Sequence, residues 1–98
     1  MAYLKSQMLY DDGYYKWNAG DDKDNPYYRG GTDYDQLNRT EGYEVKYFIN
    51  HYVEKRWGSN ANLSIYQKIE MVIRFHIPPN IRQREHIEKW ISDNWSRF

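Results

Sequence analysis

The chain has 98 residues, 14 basic and 14 acidic side chains, no cysteine and a formal net charge of zero. Its length suits one small domain with a modest core. The absence of cysteine excludes a disulfide framework, a thiolate metal site and a cysteine nucleophile. A neutral chain also argues against a protein that coats nucleic acid by charge alone.

The distribution of charge and the start of the chain bear on the cellular setting. Residues 1–44 carry a net charge of −4 and residues 45–98 carry +4, which would let the two parts face each other. Residues 1–5 lack a basic start followed by an apolar run, and no apolar run is long enough to cross a bilayer. We therefore predict a cytoplasmic protein without membrane contact.

The N-terminal part predicts a β-hairpin. Residues 3–10 mix apolar and polar side chains, an Asp-Asp-Gly sequence at 11–13 interrupts them, and an aromatic-rich stretch follows. An Asp-Gly pair between such segments favours a tight turn, because glycine accepts the positive φ that the turn needs. We predict strands at 3–10 and 14–18.

Residues 18–39 predict a long irregular loop, since they are dense in Gly, Asp, Asn and Pro. A loop of this length within a compact domain is usually functional or partly disordered. Tyrosines among acidic residues resemble an adaptable protein-binding surface, although they could equally pack the loop against the domain. The predicted protein-binding residues are Tyr27, Tyr28, Tyr34, Asp21, Asp22 and Asp24.

Residues 41–57 predict an α-helix. Acidic residues lie in its first turn, basic residues lie in its last turn and a glycine follows, as helix ends favour. Its apolar side chains recur at helical spacing, at Val45, Phe48, Ile49, Tyr52 and Trp57.

The stretch 68–77 has the strongest periodic pattern in the chain. Apolar side chains at 69, 71, 73, 75 and 77 alternate with polar ones, and only Val72 breaks the alternation. This pattern predicts a central strand with one apolar face. The alternative is a helix over 64–76, because Ser64 to Gln67 have the form of a capping box and Ile65, Ile69 and Val72 would share a helical face.

Pro78 and Pro79 end this element, and residues 80–96 predict the last helix. Asn80 is its predicted N-cap, with Gln83 placed for the reciprocal contact. Its predicted buried stripe consists of Ile87, Trp90, Ile91 and Trp95.

Together these elements predict a single α+β domain over 1–98, with a two-layer ββαβα fold of a three-stranded antiparallel sheet and two helices. The hairpin and the Tyr/Asp-rich loop occupy 1–39, and a helix-strand-helix core occupies 40–98. The alternative is a mainly α fold with three helices at 41–57, 64–76 and 80–96.

No motif for catalysis, a metal or a cofactor is recognisable. The three histidines lie on different predicted elements without the spacing of zinc ligands, and the serines lack the glycine context of a nucleophile. We therefore predict no catalytic, metal-binding or cofactor-binding residue and no enzymatic activity. A small enzyme remains the third hypothesis, since folding can assemble residues that are distant in sequence.

Two binding hypotheses remain, and the preferred one is a non-enzymatic protein that binds another protein through the Tyr/Asp-rich loop. The alternative is nucleic-acid binding, since a helix at 64–76, a short turn and the last helix would approximate a helix-turn-helix. Its candidate contact residues are Arg82, Gln83, Arg84, His86 and Lys89. An exposed edge strand would also allow a homodimer.

Overall fold

The computed structural model describes residues 3–17 and 37–98, and these residues fold into helices and turns. The helices are α1 (Gly42–Trp57), α2 (Leu63–Phe75) and α3 (Arg84–Asn94), with short 3-10 turns at Lys5–Gln7, Gly58–Asn60 and Trp95–Arg97. Their buried side chains, together with those of residues 3–17 and Leu37, form one hydrophobic cluster. In this described part, no helix is long and apolar enough to cross a membrane.

The predicted three-stranded antiparallel sheet is wrong. Residues 3–17 and 37–98 contain no strand, and the extended residues there form isolated bridges, such as the parallel bridge between Lys16 and Glu41. The mainly α alternative fits, and the helix predicted over 41–57 is confirmed. The third helix begins later than expected, because Gln83 rather than Asn80 is its N-cap.

Residues 63–75 form a helix because their apolar side chains reach the core at helical spacing. Ile69, Val72 and Ile73 are at most 2% exposed, whereas Phe75, which a strand would bury on the same face as Ile69 and Ile73, is 61% exposed. Asn62 caps the first turn, since its side-chain oxygen accepts a hydrogen bond from the N–H of Ile65 at 3.2 Å. Val72, the residue that breaks the alternation, therefore belongs to the buried helical face.

The C-terminal end of α2 is held by a single side chain, that of Arg39. Its guanidinium donates hydrogen bonds to the carbonyl oxygens of Ile73 (3.4 Å), Ile77 (2.8 Å), Pro78 (2.8 Å) and Ile81. The last carbonyls of a helix need outside donors, and the prolines that follow have no N–H to offer. Burial lowers the pKa of the Arg39 side chain.

The predicted hairpin is also wrong within the described residues 3–17. Turns cover residues 9–14, and Gly13 has the positive φ (108°) expected of the Asp-Gly pair, but no strands flank it. The segment ends on α1, where a Cβ at Gly42 would lie 2.6 Å from the ring of Trp17. A glycine in the first turn of α1 thus makes room for this tryptophan.

Candidate functional site

The carboxylate of Glu70 lies in the core with no exposed surface. The hydroxyl of Tyr15 donates to its Oε2 at 2.7 Å, and the hydroxyl of Tyr3 donates to its Oε1. The backbone N–H of Leu9 donates to Oε1 (3.0 Å) and Oε2 (3.1 Å), and that of Tyr10 donates to Oε2 (3.2 Å). Glu70 and these four residues, which we call the Glu70 clasp, attach the N-terminal segment to α2.

The Glu70 clasp is a structural feature. A buried carboxylate is costly unless hydrogen-bond donors surround it, and here two hydroxyls and two amides do so. Burial, followed by the hydrogen bond to Glu70 and its negative charge, raises the pKa of both Tyr3 and Tyr15 far above the ordinary value of 10.0. Both hydroxyls therefore remain protonated donors, and no substrate can reach the enclosed carboxylate.

The Glu70 clasp also places two residues beside the exposed end of α2. Tyr10 follows Leu9 in the clasp, and its ring meets the ring of Phe75 edge-on with the centroids 5.3 Å apart. Phe75 is 61% exposed and Leu9 is 46% exposed, although both are large apolar residues. We call Leu9, Tyr10, Arg74 and Phe75 the Phe75 patch.

Arg74 brings a positive charge to the Phe75 patch. Its guanidinium carbon lies 3.7 Å from the ring centroid of Tyr14, 4.9 Å from that of Tyr10 and 5.2 Å from that of Phe75. Arg74 forms no ion pair with the residues that the structure describes, and its buried Nη1 has no hydrogen-bond acceptor among them. The oxygens of nearby Glu70 are already occupied by the clasp donors. The patch thus combines apolar surface with an arginine that has no carboxylate partner in 3–17 or 37–98.

The residues predicted to contact nucleic acid lie just before α3 and in its first half, but acidic residues pair with two of them. Arg82, Gln83, His86 and Lys89 are exposed. Lys89 bonds to Asp93 at 2.8 Å, and half-buried Arg84 bonds to Glu44 at 3.1 Å. Burial is the largest influence on Glu44 and raises its pKa, despite the opposing effect of Arg84.

The connection between α2 and α3 also differs from the expected short turn. It covers residues 76–83, whereas a helix-turn-helix motif has a turn of about 3–4 residues. These residues are stabilised by Arg39 at one end and by the Arg84–Glu44 pair at the other. The arrangement favours a structural role for Arg84.

The remaining predictions concern other parts of the chain. The candidates Tyr27, Tyr28, Tyr34, Asp21, Asp22 and Asp24 lie outside the described residues, so their role stays a prediction. The edge strand on which a homodimer was expected is not found within 3–17 and 37–98. The same ranges contain no group of three or more His, Cys, Asp or Glu side chains that could hold a metal ion.

The Phe75 patch was missed in the sequence because residues 68–77 were assigned to a strand that buries Phe75. Helical spacing carries the missing signal. When Ile69, Val72 and Ile73 define the buried face, Phe75 falls outside that face on one flank of the helix. Glu70 falls outside it on the other flank, where the N-terminal segment covers it.

Comparisons with known protein families, curated proteins and solved structures give no significant match to this chain.

Proposed function

We propose that this chain is a non-enzymatic binding protein and that it contacts another protein through the Phe75 patch. The observation that carries the proposal is the exposure of Phe75 beside Tyr10 and Arg74. Aromatic residues and arginine are enriched at the energetically important centres of protein interfaces. The proposal keeps the function class expected from the sequence and assigns it to a different surface.

The partner that fits the patch is a protein segment with an acidic side chain next to apolar ones. The apolar side chains would cover Phe75 and Leu9, and the carboxylate would pair with Arg74. Arg74 is well suited to this role because the tyrosine rings on which it lies fix its position before binding. A side chain that is already ordered loses less entropy when the partner binds.

Nucleic-acid binding at the start of α3 has less support. Arg84 is engaged with Glu44, Lys89 with Asp93, and Glu85 is a further acid in the first turn of α3. These acids weaken the attraction of a phosphate backbone to this end of the helix. An enzymatic function has no comparable support, since the carboxylate of Glu70 is enclosed.

The proposal is tested by selecting random displayed peptides on the immobilised full-length protein. We expect enrichment of peptides in which Asp or Glu adjoins Leu, Phe or Trp. Phe75→Ser should weaken binding of a selected peptide by about tenfold or more, and Arg74→Gln by roughly fivefold, measured by titration calorimetry.

A matched control for Phe75→Ser is Leu4→Ser, which removes another exposed apolar side chain from the described part of the chain (Leu4 is 53% exposed). Leu4 follows Tyr3, whose ring stacks on Tyr66 near the start of α2, away from Phe75. Leu4→Ser should leave peptide binding unchanged. Equal binding by the native protein and Phe75→Ser would refute the proposal. Sedimentation that shows a dimer abolished by Phe75→Ser would also refute it, because a second copy would then occupy the patch.

A further inference from the structure

A second surface gathers two tryptophans and two cations from α1, α2 and the turn that follows α3. Trp57 ends α1 and Trp95 follows α3, and their ring centroids lie 5.0 Å apart with the planes tilted by 56°. The guanidinium carbon of Arg56 lies 4.9 Å from the Trp57 centroid and 5.6 Å from the Trp95 centroid. From α2, the ammonium of Lys68 lies 4.2 Å from the Trp95 centroid. We call these four residues the Trp95 cluster.

The two cations of the Trp95 cluster form no ion pair with the described residues of the chain. Arg56 is exposed and donates a hydrogen bond to the hydroxyl of Tyr52 at 2.8 Å. The dipole of α1 favours a cation such as Arg56 in its last turn, but Lys68 lies in the middle of α2, where no such effect applies. The rings hold both positive groups in place and leave their charge unneutralised.

Arg56 also belongs to a hollow of about 350 Å³ between α1 and α3. The hollow is lined by Tyr52, Lys55, Arg56, Glu88 and Ser92. Its acidic residue Glu88 is neutralised by Lys55 at 2.9 Å, and the hydroxyls of Tyr52 and Ser92 are bonded at 2.8 Å. The hollow therefore offers hydroxyls and a guanidinium that has no carboxylate partner among the described residues, directly beside the tryptophans.

We infer that the Trp95 cluster and the adjoining hollow bind single-stranded nucleic acid. Arg56 and Lys68 attract the phosphates, the hydroxyls of the hollow bond to phosphate or sugar oxygens, and a base packs against the half-buried tryptophans. Proteins that bind single-stranded nucleic acid without sequence preference use cations to contact the phosphates and aromatic rings to stack on the bases. This inference is independent of the Phe75 patch and concerns different residues from those at the start of α3.

Single-stranded nucleic acid fits better than an acidic peptide because it supplies both features of the site. A row of carboxylates would satisfy Arg56 and Lys68 but would bring no planar group to the part of the tryptophan rings that stays exposed. Duplex nucleic acid would supply phosphates but keeps its bases stacked and out of reach. In a single strand, each unstacked base is joined through its sugar to a neighbouring phosphate, so one nucleotide can contact both the tryptophans and the cations.

The test is the fluorescence anisotropy of labelled oligothymidylate, and of an oligoribonucleotide of equal length, titrated with the full-length protein at low and moderate salt. We expect binding that weakens as salt rises. The double substitution Arg56→Gln/Lys68→Gln should weaken it by about tenfold, and Trp95→Leu by about as much, because a stacked base contributes comparably. Circular dichroism of each variant checks that the helices remain.

The matched control is Lys16→Gln/Lys46→Gln, which removes the same amount of charge elsewhere. Lys46 lies over the ring of Tyr43 on α1, and Lys16 is exposed in the N-terminal segment. This control should change binding by less than about twofold. Equal losses in both double variants would show attraction by net charge alone and overturn the inference, as would absence of binding at low salt. Equal competition by polyglutamate would assign the site to acidic peptides and overturn it too.

Discussion

Replacing Glu70 with alanine is expected to lower the free energy of unfolding by about 4 kcal/mol, measured by urea denaturation. The substitution leaves the hydroxyls of Tyr3 and Tyr15 and the amides of Leu9 and Tyr10 without their shared acceptor inside the core. A small domain is stable by only about 5–15 kcal/mol, so this loss is a large part of the total. Glu70→Gln should cost roughly half as much, since the amide keeps one acceptor oxygen and turns a donor towards other donors.

Two further variants separate the Glu70 clasp from a general effect of losing a carboxylate. Glu54→Ala removes an exposed carboxylate from α1 and should change stability by less than about 0.5 kcal/mol. In a double-mutant cycle, Glu70→Gln and Tyr15→Phe should be coupled by at least about 1 kcal/mol, because they remove two ends of one hydrogen bond. Additive effects would mean that Glu70 and Tyr15 act independently, and the clasp would be refuted.

Above pH 10.0, the free energy of unfolding of the native protein should fall more steeply with pH than that of the variant Tyr3→Phe/Tyr15→Phe. Burial and Glu70 raise the pKa of both tyrosines in the folded state, so the unfolded chain releases these protons first as the pH passes 10.0. The stability contributed by the neutral hydroxyls is therefore complete below pH 10.0 and falls above it. Above this pH, each tyrosine lowers the free energy of unfolding by about 1.4 kcal/mol per pH unit. For the pair, the loss of stability is about 3 kcal/mol at one pH unit above the ordinary pKa.

Urea denaturation at a series of alkaline pH values measures this slope. The double variant is less stable at neutral pH, but the fall in its stability with pH should be much shallower. Tyr47→Phe is the matched control, since Tyr47 is a half-buried tyrosine of α1 that stacks on His51 and does not bond to Glu70. It should leave the slope unchanged. Identical slopes for the native protein and the double variant would contradict the assignment of these two hydroxyls as donors to Glu70.

Local signals predicted α1 correctly because the spacing of its apolar residues and the residue types at both of its ends all favour a helix. Its apolar residues recur at helical spacing, Glu44 lies in its first turn, and Gly58 with a positive φ of 61° ends it. Four of the five residues predicted for its buried face, Val45, Phe48, Ile49 and Tyr52, are buried. Helix ends with such matching chemistry need little help from the rest of the fold.

The error at 68–77 arose because alternation and helical spacing select overlapping residues. Ile69 and Ile73 satisfy both patterns, and the two patterns differ at Met71, Val72 and Phe75. A strand also needs a neighbouring strand, and no residue of 3–17 forms one. The burial of Glu70 depends on donors about 55 to 67 residues earlier in the chain, and no local pattern encodes such a contact.

The candidate surfaces were unpredictable for the same reason. Phe75 is exposed only because α2 turns it away from the core, and Leu9 and Tyr10 join it only through the Glu70 clasp. The Trp95 cluster needs the ends of α1 and α3 to meet beside α2. The sequence predicts Trp57 and Trp95 as parts of buried stripes, whereas the structure leaves both half-buried.

The most direct test of the account is hydrogen exchange at the amides of Leu9 and Tyr10, measured by NMR. The central claim is that Glu70 holds these residues on α2 and so builds the Phe75 patch. Both amides lie in a segment without helix or strand, yet they should exchange at least about a thousandfold more slowly than in an unstructured peptide. In Glu70→Gln this protection should fall markedly while the amides of α1 stay protected. Exchange of Leu9 and Tyr10 at unstructured rates in the native protein would contradict the claim.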